Sequence, residues 1–173
     1  MKKRHVAFAF AVLALGGPLH FLYEWTGENS FAALFFPVNE SVWEHLKLLA
    51  VPFIIFAFVE YFLPGGKRRG FFAAKALSLW AGITAITALY YLYSGIAGAH
   101  FLIADIALFV IGAISAYALD YKLLSAGAFS SKTADCLGLA VLLLTFACFA
   151  AFTFFPPEIP LFKDPAAGAY GVR

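Results

Sequence analysis

A length of 173 residues is the length of one domain, and a chain that is 63% apolar and 13% charged, with mean hydropathy +0.86, belongs with membrane proteins and not with soluble ones. The formal net charge is only +2, and no basic stripe interleaved with exposed aromatic residues runs through the chain, which excludes nucleic-acid binding. Cys136 and Cys148 lie twelve positions apart on one apolar run, roughly 18 Å along a helix, too far for a disulfide within it.

Five apolar runs predict an all-α polytopic membrane bundle of five spans in a single integral domain, 1–173. The first span covers 5–25. Lys2, Lys3 and Arg4 precede it, and His5 in this basic segment reads as a surface residue. Ala14 and Gly16 resemble a signal-peptidase site, but the apolar run continues to Trp25, so an uncleaved anchor is expected. Pro18 is expected to kink this helix, and Pro52 the second, which covers 41–63. Pro64, Gly65 and Gly66 end the second span, and Lys67, Arg68 and Arg69 form a basic loop. The third span covers 71–93, the fourth 100–123 and the fifth 134–155, where Pro156 and Pro157 stop it. The tail, 156–173, reads as irregular. Gly82, Gly112, Ser115 and Gly138 mark close helix contacts.

Nine of the twelve lysines and arginines fall at the end that carries the N-terminus, which predicts a cytoplasmic N-terminus and, after five spans, an outer C-terminal tail. Glu60 is then expected to pair with Lys67 or Arg68, and Asp120 with Lys122, as structural contacts near the inner surface.

Chemistry-bearing residues gather at the other end. The segment 36–47, FPVNESVWEHLK, places Asn39, Glu40, Ser41, Glu44, His45 and Lys47 at the mouth of the second span. Ser41 and Glu44 match a capping box, and Trp43 suits an interfacial belt; neither explains His45 or Asn39. His20 and Glu24, four apart, share a helix face, so imidazole and carboxylate converge on one ion or on each other. His100 and Asp105, five apart, do not share a face. Asp105 sits more than a turn inside the fourth span, where a carboxylate needs a partner, and Lys47 is one candidate.

The segments HFLYEW (20–25), FFPVNESVWEHLKLL (35–49) and FTFFPPEIPLFKDPAAGAYG (152–171) resemble a family of small bacterial multi-pass membrane proteins of unknown function. The resemblance covers nearly the whole chain. It implies an integral protein of the bacterial cytoplasmic membrane and carries over no activity.

Three functions from different classes remain open. The first is a metal-dependent membrane hydrolase, with His20, Glu24, His45 and His100 as ligands of zinc or another divalent metal and Glu44 or Glu40 as general base. The second is a small transporter or proton or cation pathway. The third is a structural subunit with no catalytic site. Asn39, Lys47 and Asp105 complete the polar inventory. The expected partners are the lipid bilayer and a small-molecule or lipid substrate, with an oligomer allowed. The proline-rich tail is expected to fold over the mouth as a lid.

Overall fold

A computed structural model describes residues 2–172. The helices are α1 (Lys2–Trp25), α2 (Ser30–Ala33), α3 (Val42–Phe62), α4 (Phe71–Ala97), α5 (Leu102–Ala126) and α6 (Lys132–Phe154), followed by a 3-10 turn, Pro160–Phe162. Five of these, α1 and α3 to α6, are long and apolar enough to cross a membrane. Among the described residues there is no strand, only an isolated antiparallel bridge between Lys163 and Tyr170.

Three helix starts, those of α2, α3 and α6, follow from side chains that satisfy otherwise orphaned backbone donors. Ser41 Oγ accepts from the Glu44 amide (3.3 Å), Ser131 Oγ from the Thr133 amide (3.1 Å) and Asn29 Oδ1 from the Phe31 amide (2.7 Å). Asn29 caps the short α2, which the apolar pattern does not announce. Pro18 and Pro52 both lie inside continuous helices. α4 runs four residues beyond the expected end. Ser94 Oγ donates to the Tyr90 carbonyl (2.6 Å), so its hydroxyl is satisfied within the helix, and Gly98 then ends it.

The central helix is α3, which packs against α1, α4, α6 and the 3-10 turn; α4 also packs on α5 and α6, and α1 on α5. Leu49, Phe53, Leu79, Ala113 and Leu142 form the shared apolar core. The expected small-residue contacts appear between α4 and α5, where a Cβ on Gly82 would stand 2.9 Å from the Gly112 carbonyl oxygen. At Gly138 the fit is tighter, with a Cβ only 2.3 Å from the Ala73 amide nitrogen, so α4 and α6 are in backbone contact there. Gly138→Leu is therefore expected to lose at least about 1–3 kcal/mol of stability. Gly17→Ala, which meets nothing within 4 Å, should be neutral or slightly stabilising. Thermal unfolding of the two variants in detergent checks the contrast; equal midpoints would refute the contact.

All the basic segments lie at one end. There Arg4 donates to the Pro64 carbonyl (3.2 Å), tying the start of α1 to the end of α3. The tail is fastened at the opposite end: Asn39 Nδ2 donates to the Gly171 carbonyl (3.0 Å), the Val172 amide donates to the Thr153 carbonyl (3.1 Å), and the Trp43 ring packs at a tilt or edge-on against Phe149, Phe152 and Phe162. The tail is more ordered than its composition suggests. Asp164 Oδ1 accepts from the amides of Ala166 and Ala167 at 2.8 and 3.1 Å, closing a turn that the Lys163–Tyr170 bridge flanks.

Candidate functional site

At the mouth, Glu44 and Lys47 face inward from one side of α3 and are almost wholly buried. Lys47 Nζ stands 2.7 Å from Glu44 Oε2, donates to the Ala33 and Phe36 carbonyls at 2.8 and 3.3 Å, and donates to Thr153 Oγ1 at 2.5 Å. Glu44 Oε2 also accepts from the Val38 amide (3.1 Å), and Oε1 lies 2.8 Å from the Thr153 hydroxyl. A buried ion pair is tolerable only when its remaining donors and acceptors are satisfied, and here they are. The pair staples α3 to the α2 segment and to α6. Only half of the expected capping box forms: Glu44 does not reach back to the Ser41 amide, which donates instead to Asn39 Oδ1 (2.9 Å). Lys47 is not the partner of Asp105, because Glu44 holds it.

Outside this staple, three side chains converge. His20 comes from α1, Glu40 from the loop before α3, and His45 from the first turn of α3. His20 Nε2 lies 3.4 Å from Glu40 Oε1, and His45 Nε2 lies 3.5 Å from Glu40 Oε2. The two imidazoles are 5.0 Å apart between centroids, and one donor atom from each of the three residues falls within 4.8 Å of the others. His45 Nδ1 sits 2.9 Å from the Ser41 carbonyl oxygen. A carbonyl only accepts, so Nδ1 carries the proton and, in the neutral ring, the lone pair of Nε2 points at Glu40. Glu40 is 51% exposed, which leaves the centre open on its outer side. Glu24 is exposed on α1 and lies outside this group of three.

His100 also stands apart from it. Because α5 begins at Leu102, His100 belongs to the preceding loop and is free to fold back, which helical spacing does not anticipate. Its Nδ1 lies 3.2 Å from Asp105 Oδ2, and the Tyr93 hydroxyl donates to Asp105 Oδ1. This trio joins α4 to α5.

The basic end holds a cluster that the linear pattern does not reveal. Glu60 and Asp120 are fully buried, and Lys75 Nζ lies between them, 2.6 Å from Glu60 Oε2 and 2.5 Å from Asp120 Oδ2. His5 is buried, not a surface residue, with Nε2 3.0 Å from Asp120 Oδ2. Glu60 takes Arg68 (3.6 Å), as the loop suggests, but its closer partner is Lys75; Asp120 takes Lys75 and His5 in place of Lys122. The reason is geometric: Glu60, Lys75 and Asp120 each lie inside a helix end, and three helices packed together bring them to one point. One signal was available, a lone lysine within an apolar run at the same depth as two acids. His5, Glu60 and Asp120 satisfy metal-ligand spacing, yet the ammonium of Lys75 already occupies the position a cation would take.

No curated protein and no solved structure matches the chain. A family model does, over residues 2–172, described as a family of unknown function. Its match spans all three converging segments of the mouth and the buried cluster at the basic end, and the chain is accordingly a member of that family, DUF6512.

Proposed function

We propose that this is a polytopic protein of the bacterial cytoplasmic membrane, with its basic end in the cytoplasm, and that His20, Glu40 and His45 hold a divalent metal at its outer face for a hydrolytic reaction. The observation that carries the reading is the pair of 3.4 and 3.5 Å separations between the imidazole nitrogens and the Glu40 oxygens. Ligands at ~2.0–2.1 Å from a tetrahedral zinc stand about 3.3–3.4 Å apart. The Ser41 carbonyl on His45 Nδ1 supports it further, being the outer contact that orients a ligand imidazole. Two histidines and a carboxylate leave a fourth position for water, whose pKa such a metal lowers towards ~7. Glu40 then serves as ligand and Glu44 as part of the staple that holds α3 in place.

The transporter reading has less support. The core between the buried cluster and the staple is apolar, built from residues such as Leu49, Phe53 and Leu79.

Metal content by mass spectrometry on detergent-purified protein tests the proposal. About one zinc or other divalent ion per chain is expected in the wild type after metal refilling. It should fall at least ~tenfold in each of His20→Ala, Glu40→Gln and His45→Ala, while His100→Ala keeps it. A folded wild type that takes up no metal after refilling would sink the reading.

A further inference from the structure

Where Gly138 presses α6 onto Ala73 the two helices touch, but towards the mouth end they part. Between them and the start of α3 lies an apolar cleft of about 520 Å³. Trp80, Thr84, Thr87 and Tyr91 of α4 recur at helical spacing along one wall, and Cys148 and Phe152 of α6 line the other. Trp80 Nε1 donates to Thr145 Oγ1 (3.0 Å) at the far end. From Trp80 to Tyr91 the rise is about 16 Å, half of a ~30 Å hydrocarbon core and so the depth of one leaflet. Leu161 of the tail also lines it. Directly above, sharing Tyr91, is a second pocket of about 230 Å³ lined by Tyr90, Ser94, Pro160 and Lys163. Lys163 is exposed. Among the described lysines and arginines at this end it is the one available to a ligand, since Lys47 is buried against Glu44.

An apolar slot one leaflet deep, ending in hydroxyl groups and a single exposed cation, is complementary to an amphiphile with one acyl chain in the slot and an anionic head at the mouth. We infer that this cleft is a binding site for an anionic glycerophospholipid, with the acyl chain between α4 and α6 and the phosphate at Lys163 and the Tyr90 hydroxyl. The site lies on the α4–α6 side of α3, whereas the His20–Glu40–His45 centre is built with α1, so the lipid site is independent of the metal. It rests on the membrane reading of the five helices.

Three tryptophans are present, and two of them, Trp43 and Trp80, line the cleft. In a Trp25→Phe background, reconstituted into vesicles of phosphatidylcholine and phosphatidylglycerol, either lipid can carry brominated chains that quench nearby indoles. The expected result is about fivefold preferential quenching by brominated phosphatidylglycerol at equal mole fraction, the contribution of one lysine near an anionic head. The preference should fall to about one in Lys163→Glu, an exposed change that leaves the fold intact, and in Thr87→Phe, which fills the slot. Equal quenching by both lipids in the parent, or a preference that survives either variant, would overturn the site and leave ordinary annular lipid. Quenching by brominated phosphatidylcholine itself reports that the helices lie in the bilayer. Its loss together with that of phosphatidylglycerol would overturn the membrane reading as well.

Discussion

Lys75→Met is expected to cost about 3–5 kcal/mol of stability, because it breaks a fully buried ion cluster. The substitution keeps the length of the side chain and removes its charge. Glu60 and Asp120, both fully buried, would then face each other, with Arg68 3.6 Å from Glu60 and His5 3.0 Å from Asp120 to offset them in part. Lys75 also lies over the rings of Phe53 and Phe71, at 5.6 and 5.1 Å, an attraction that methionine keeps only as packing. Replacing the whole triad by apolar residues, Lys75→Met with Glu60→Leu and Asp120→Leu, should recover most of the loss, because a buried ion cluster seldom outdoes apolar packing of similar volume. Unfolding in detergent, followed by circular dichroism, checks both. A Lys75→Met protein within ~1 kcal/mol of the wild type, a cost no larger than that of a surface pair, would show that the cluster does not act as an ion triad.

Lys47→Met is expected to be nearly as damaging, about 3–5 kcal/mol, for the same reason at the other end. It strands the Glu44 carboxylate beneath the mouth and removes the donor that the Ala33 and Phe36 carbonyls share. Glu44→Gln should be milder, about 1–3 kcal/mol, since the amide keeps an acceptor for the Val38 amide and the Lys47 ammonium keeps the Ala33 and Phe36 carbonyls and Thr153 Oγ1. The pair also separates two roles for Glu44. As part of the staple, Glu44→Gln should leave metal content per folded molecule at the wild-type level. Were Glu44 a ligand of the proposed metal instead, the same change would lower the metal content. Measuring unfolding and metal content on the same preparations distinguishes them, and a double-mutant cycle between positions 44 and 47 should return a coupling well above ~1 kcal/mol, the ceiling for exposed pairs.

The five long helices were legible in the sequence because burial in lipid demands ~20 apolar residues per span, and that requirement acts on composition before any tertiary contact exists. The cap at Ser41 was local enough for neighbouring residues to announce it, as was the clustering of Asn39, Glu40 and His45 at one mouth. The small residues Gly82, Gly112 and Gly138 could be read as contacts because only small side chains let backbones approach so closely.

Partners across helices were not legible in the same way. Helical spacing pairs His20 with Glu24, yet His20 meets Glu40 and His45, because the packing of α1 on α3 brings them nearer than a residue one turn away. His100 and Asp105 meet only because α5 begins two residues after His100. His5, in a basic segment at the chain start, reads as exposed; the packing of α1 against α5 buries it beside Asp120. Apart from His5, the sequence by itself determined that these polar groups lay at a given depth, since burial of an unpaired charge is too costly to be accidental. Which groups meet depends on the rotation of each helix about its axis, and only the packing of α1, α3, α4 and α5 decided that.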